Sequence, residues 1–239
     1  MMNAGLLCLV LCAAATPAQA QMKWTDKAFA NINVGLQLGS QDLAVSTPFD
    51  LYLETGSVAT TVDAKGGVLF DISAGYKVWR NLAVGIGFSS TDSKSDATIT
   101  ASVPDPVLFD APRNVTAQAA DLQHDERAVH FTATWMIPVT DKIDVGISGG
   151  PTYFRVTQDV PNGVAVNEPG PSIASVAVDG VNESTVGVHL GLDVNYMVNT
   201  RFGVGGLARY TRGSVDIANA TDTLKVGGFQ LGAGLRVRF

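Results

Sequence analysis

The groups in this chain able to do chemistry are three histidines and a scatter of acids and arginines. His124 stands in the run Asp121 to Arg127, beside Asp125 and Glu126, and with a carboxylate and a loop serine it could be drawn as a nucleophilic triad. No spacing singles out a serine, and a solvated histidine in a polar stretch accounts for the same residues. Asp121, Asp125 and Glu126 offer carboxylates to a cation, but they lack the ligand spacing of a calcium loop and read as a solvated strand rim. His130 and His189 fall into alternating patterns, as do Asp71, Lys77, Asp193, Arg209, Gln230 and Arg236. What these residues do depends on where the alternation points them. The reading carries no catalytic, cofactor or metal assignment.

The elements that position these groups are clearest at the end of the chain, LKVGGFQLGAGLRVRF, residues Leu224 to Phe239. From Phe229 onward Phe229, Leu231, Ala233, Leu235, Val237 and Phe239 alternate with Gln230, Gly232, Gly234, Arg236 and Arg238. A period of two describes a strand with one apolar and one polar face. The same period recurs upstream in Ala30 to Ser40, Gly67 to Val78, Leu82 to Ser89, Ala128 to Ile137, Ile143 to Tyr153, Thr185 to Val198 and Phe202 to Thr211.

These strands are joined in strict alternation by three short turns and four long segments. The turns are Trp79-Arg80-Asn81, Pro138 to Lys142 and Asn199-Thr200. The long segments are Gln41 to Gly66, Ser90 to Asp125, Thr157 to Glu183 and the shorter Ser214 to Thr223. Gly149-Gly150-Pro151 predicts an irregular point in the fifth strand, since proline cannot donate to the ladder. Tyr76, Trp79, Trp135, Tyr196, Phe202 and Phe239 lie near the short turns. Phe70, Phe88, Tyr153, Tyr210 and Phe229 lie about seven to ten residues away, as two aromatic girdles bounding an apolar band require.

Composition agrees. The first twenty residues hold an apolar run from Leu6 to Ala15, Pro17 and an Ala18-Gln19-Ala20 cleavage pattern, and read as a secretory signal peptide without a basic start. A lipoprotein signal at Cys8 or Cys12 is disfavoured by the leucine before each. Both cysteines fall in that segment, so the mature chain, Gln21 to Phe239, has neither disulfides nor thiolate metal sites. The net charge of -6 argues against nucleic acid as a partner. After the signal no uncharged apolar run reaches the roughly 18 residues of a spanning helix. A membrane crossing therefore falls to strands, and in lipid their sheet must close on itself.

A final strand ending in an aromatic, preceded by short turns and long loops segregated by parity, resembles the small eight-stranded outer-membrane proteins of the OmpA, OmpX and OmpW types and the opacity-like surface antigens. The resemblance covers essentially the whole mature chain. It implies an all-β, eight-stranded antiparallel up-and-down barrel in the outer membrane of a Gram-negative cell. It further implies Phe239 as the end of a C-terminal signal read by the barrel assembly machinery, and lipid and lipopolysaccharide as surroundings. Unlike full-length OmpA, the expected protein carries no C-terminal periplasmic domain.

With the apolar face outward, Asn33, Gln37, Asp71, Lys77, His130, Asp144, His189, Asp193, Arg209, Gln230, Arg236 and Arg238 face a lumen just wide enough for side chains to fill. The leading expectation is an ion-paired, hydrogen-bonded plug, because charges in a dry narrow space must be paired. Arg209 with Asp193 or Asp71 is its expected centre. The rival is a narrow aqueous path for ions or small solutes. An OmpW-like route for hydrophobic molecules would need an apolar upper lumen, for which Leu69 and Leu207 are too little. A lipid A-modifying enzyme lacks a coherent constellation. The long segments, with β-prone stretches Ala97 to Val103 and Ser175 to Val181, could extend hairpins above the membrane. There they would meet an extracellular ligand or host surface, or form a passive shield.

Overall fold

The computed structural model describes residues 24–38, 41–64, 66–167, 172–215 and 223–239. The expected signal peptide, Met1 to Ala20, lies outside them, as does most of the fourth long segment. Ten strands are present among these residues: β1 Ala28–Leu38, β2 Gln41–Leu51, β3 Glu54–Ala64, β4 Val68–Trp79, β5 Leu82–Val103, β6 Arg113–Pro138, β7 Ile143–Asn167, β8 Ser172–Met197, β9 Phe202–Val215 and β10 Leu224–Arg238.

Eight of the ten close a ring. β1 pairs with β4, β4 with β5, and so on through β6, β7, β8 and β9 to β10, which pairs back with β1 from Phe29↔Arg238 to Leu38↔Phe229. Every pairing is antiparallel, the arrangement that alternation of short and long connections demands. The seam is tied at its base, where the Phe239 carbonyl accepts from the Lys27 and Ala28 amides at 2.6 and 3.2 Å.

Side chains obey the reversed logic of a barrel in lipid. Val188 and Leu190 are 64% and 65% exposed, while His189 between them is 5% exposed. The outward row includes Ile32, Val34, Phe70, Ile72, Ile86, Phe131, Ile147, Leu192, Val194, Val204 and Leu235. The girdle aromatics point outward too; Trp135 is half-covered by Trp79, whose ring meets it edge-on at 6.4 Å.

The expected long segments are themselves mostly strand. β5 and β6 rise together to Val103↔Arg113, and β7 and β8 to Asn167↔Ser172, so the walls continue well above the apolar band. From Ser90 to Val103 the climb is roughly 40 Å along the strand at about 3.3 Å per residue. Within Gln41 to Gly66, β2 and β3 form a hairpin whose turn is Tyr52-Leu53, and β3 adds to the edge of β5 from Ser57↔Ser102 to Ala64↔Ser95. Hydrogen-bonded to β3 alone among the described residues, β2 is a free edge, with Pro48 midway along it. The result is a four-stranded arm, β2-β3-β5-β6, facing a β7–β8 hairpin arm.

An extra residue in β6 marks where wall becomes arm. The β5–β6 register shifts between Ser95 and Ala97, opposite Asp121 at φ 61°. Below this bulge the even residues of β6 point inward (Leu122, His124, Glu126, Ala128); above it the odd ones do. Gly149-Gly150-Pro151 remains inside β7, but the β6–β7 ladder is interrupted there, between His130↔Thr152 and Ala133↔Gly149.

Candidate functional site

Buried side chains crowd the lumen at several levels. At its periplasmic mouth Trp24, 3% exposed, packs edge-on against Phe29 at 6.1 Å, beside Ala83 and Met136. Lys77 and Arg238 sit over the indole at 5.4 and 5.6 Å. The Trp24 amide donates to Asn81 Oδ1 at 3.2 Å. Sequence analysis does not single out Trp24; a lone large aromatic in the polar stretch Gln21 to Ala28 is the signal it carries.

Above this stopper, side chains form one continuous chain of contacts. Arg238 reaches Asp144 at 2.9 Å, and Asp144 accepts from Asn195 at 2.7 Å. Arg236 donates to Asn195 at 2.5 Å, to Asn33 at 2.6 Å and to Asp193 at 3.0 Å. Asn33 donates to Asp71 at 2.9 Å, and Arg209 Nη1 stands 2.8 Å from Asp71 Oδ2. Arg209 Nε donates to Gln230 at 2.7 Å, Gln230 to Gln37 at 2.6 Å and Gln37 to Glu126 at 2.9 Å. His124 continues the chain from Glu126 at 3.0 Å to Gln158 at 2.5 Å. Three arginines meet three aspartates along the way, so the buried charges balance.

The register explains the geometry. Asp71, Asn33, Gly234, Gly205, Asn195 and Asp144 lie in one row across six strands. Glycine at 205 is required, because a Cβ there would stand 2.6 Å from Arg236 Nε. The guanidinium occupies the place a side chain would take.

Seven of the residues read from the sequence, Asp71, Asp193, Arg209, Gln230, Arg236 and, by their own branch, His130 and His189, lie in the lumen. Lys77 stands apart, donating to the Trp24 and Thr25 carbonyls at 2.8 and 3.1 Å. In the histidine branch Ser89 lies 2.9 Å from His130 Nε2, and Thr152 Oγ1 bridges His130 Nδ1 and His189 Nδ1 at 2.9 Å each. Ser89 and His130 have the spacing of a nucleophile and base, but the orienting partner is a threonine hydroxyl instead of a carboxylate. A cavity of ≈ 40 Å³ adjoins them, lined also by Asn31, Asp71, Arg209 and Arg238. That is room for about two or three waters and for no substrate. Asn31 Oδ1, Arg209 Nη2 and Arg238 Nε, buried on residues of its wall, have no protein partner and suit such waters.

The expected solvated rim holds for Asp121 and Asp125 and is corrected for His124 and Glu126. His124 and Glu126 are 5% and 6% exposed and point inward, above the apolar band, while Gln123, Asp125 and Arg127 face outward at the same level. Burial opposes a charge on His124, but the hydrogen bond and charge of Glu126, helped by Gln158 and Asp125, outweigh it and hold its pKa above the ordinary value. Glu126 also accepts from the Gly227 amide at 3.0 Å. Asp121 pairs with Lys94 at 2.9 Å on the outer surface. Among the described residues no group of three or more His, Cys, Asp or Glu is placed to hold a metal.

Over the polar chain the interior turns apolar, more than Leu69 and Leu207 announce. Val45, Val62, Leu122, Phe154, Val156, Val160, Val215, Leu224 and Val226 form one buried cluster, and Val58, Ile99, Ala101 and Val103 another within the four-stranded arm. These side chains are packed against each other between the two arms and give the arms a core of their own.

A closed antiparallel ring with apolar side chains outside and a polar filling inside defines a β-barrel built to stand in a membrane. The chain belongs to the outer membrane protein beta-barrel domain family, whose model matches residues 4–236. Among solved structures it is similar to Neisserial surface protein A, with 12% identity, a TM-score of 0.47 and coverage of 89% of this chain and 97% of that one. It is similar also to Ail, the attachment invasion locus protein of Yersinia pestis, in complex with the heparin analogue sucrose octasulfate (13%, 0.39, 88% and 99%). A third likeness is to the outer membrane protease OmpT from Escherichia coli (10%, 0.49, 93% and 100%). A search of curated proteins returns no match.

Proposed function

We propose that the protein is a sealed outer-membrane anchor carrying a rigid β platform that recognises partners outside the cell. The observation that carries this reading is the unbroken side-chain chain from Arg238 to Gln158, with a cavity of ≈ 40 Å³ beside its Asp71 and Arg209. A lumen so filled supports anchorage over conduction. The buried, mutually bonded histidines offer no reacting atom to a substrate, which favours a non-enzymatic role. Outer-membrane lipid and lipopolysaccharide surround the apolar band, and the assembly machinery reads the last strand with its exposed Phe239. The arms, packed on apolar cores of their own, supply the recognising surface.

The test is conductance of the full mature chain in a planar bilayer, with a gel-mobility difference between boiled and unboiled samples to verify the closed barrel. A heat-modifiable, electrically silent protein is expected. Discrete, reproducible steps would replace the anchor with a narrow channel whose selectivity lies in the inward charges.

A further inference from the structure

The far end of the four-stranded arm is apolar. Leu53 is 99% exposed, Val107 85%, Phe109 74%, Leu108 62% and Tyr52 44%. The first and last of these belong to the β2–β3 turn, the others to the β5–β6 loop, and the Asp110 amide joins the two by donating to Glu54 Oε1 at 2.7 Å. A cluster of this size standing in water, far from the membrane band, is the mark of a contact surface.

Its backbone is held at a cost. Tyr52 and Leu53 both have positive φ, 53° and 67°. A two-residue hairpin turn with that geometry favours Asn-Gly, and bulky residues there are strained. The neighbouring loop is fixed in shape: Asp105 Oδ1 accepts from the Val107 and Leu108 amides at 2.8 and 3.0 Å, and Arg113 reaches Asp105 and the Pro104 carbonyl at 3.3 and 3.1 Å. Those two amides, with Arg113 behind them, hold the Asp105 carboxyl below the usual carboxylate range. Pro104, Pro106 and Pro112 further reduce the freedom of the loop. A surface already ordered before contact loses little entropy on binding.

Charge selects the occupant. Asp50, Glu54, Asp105 and Asp110 lie in or beside the turn and loop that carry the apolar residues, and the one cation of those two segments, Arg113, pairs with Asp105. Surfaces that insert into lipid carry cations beside their apolar face, to meet anionic headgroups; this one carries acids. A second copy would set acid against acid. Resting on the surface-recognition reading above, we propose that the tip formed by Tyr52, Leu53, Val107, Leu108 and Phe109 docks into an apolar pocket rimmed by Lys or Arg on an extracellular protein.

The test uses the full chain in phosphatidylcholine nanodiscs, flowed over sensor surfaces that present octyl chains mixed with primary amines, octyl chains mixed with carboxylates, or amines alone. Wild type should bind the octyl-amine surface about tenfold or more tightly than either control, and added salt should weaken it. The variant Tyr52→Asn/Leu53→Gly with Phe109→Ser, whose turn residues suit the hairpin better, should keep heat-modifiability and lose about tenfold in binding. Equal binding by wild type and variant overturns the proposal, as does equal binding to octyl-carboxylate. Tip-dependent attachment to vesicles of phosphatidylcholine and phosphatidylglycerol, or tip-dependent self-association in sedimentation, also overturns it. Each of these failures removes the tip assignment alone, whereas conductance steps would remove the sealed anchor and leave the tip untouched.

Discussion

Arg209 Nη1 and Asp71 Oδ2 are 2.8 Å apart, on strands β9 and β4 that share no hydrogen bond. The pair therefore spans the lumen past β1 and β10 and braces two walls that are not neighbours, both side chains nearly withdrawn from solvent. Asp193, the other partner expected for Arg209, is taken by Arg236.

Arg209→Ala leaves the Asp71 charge buried without its cation. The expected loss is about 3–5 kcal/mol, read as a lower unfolding midpoint in urea or heat in detergent. The double variant Arg209→Gln/Asp71→Asn removes both charges and should recover much of the loss. An unchanged midpoint for Arg209→Ala would show that the brace carries no stability.

Gly227 has φ +90°, and a Cβ on it would stand 2.5 Å from Thr211 Oγ1. This turn of the backbone is what aims its amide at Glu126. Gly227→Ala is expected to cost about 1–3 kcal/mol. Gly206→Ala is the control: its Cβ would face lipid with nothing nearer than 3.8 Å, and the unfolding midpoint should hardly move.

His124 supplies a pH dependence. Its folded pKa is raised above the unfolded value, which is about 6.5. Protonated His124 therefore stabilises the fold. That contribution is fully present below the unfolded pKa and is lost as pH rises through the folded one. Unfolding midpoints taken across that interval should fall with pH in wild type, and the slope should flatten in His124→Gln.

Trp24→Ala empties the periplasmic stopper. A destabilisation of about 3–5 kcal/mol is expected from the lost packing against Phe29, Ala83 and Met136. Accessibility gives a second readout: a cysteine placed at Ala83 should react with a water-soluble maleimide far faster when Trp24 is absent.

The ring was legible because lipid enforces contrast. Where Val186, Val188, Leu190 and Leu192 face the bilayer, the alternates Gly187, His189 and Gly191 stand out, and the parity of loop lengths orders the strands. Above the band that contrast disappears. His124 and Glu126 continue the inward register of β6, but their outward neighbours Gln123, Asp125 and Arg127 are polar too, so hydropathy could not separate lining from surface. In the arm, Ala97, Ile99, Ala101 and Val103 again alternate with Thr98, Thr100 and Ser102, and that strand showed. The choice between Asp71 and Asp193 for Arg209 was out of reach for another reason. Alternation tells which face a residue occupies, whereas a contact across the lumen depends on the stagger of non-adjacent strands.

Pro48 lies in β2, the strand with a free edge. Many copies of a tall β arm crowded on one cell surface would be at risk of zipping edge to edge into continuous ribbons, since each free strand offers unpaired amides and carbonyls to its neighbour. A proline midway along that strand withholds a donor and interrupts the row. The arm thus offers a like arm an interrupted edge instead of a continuous one.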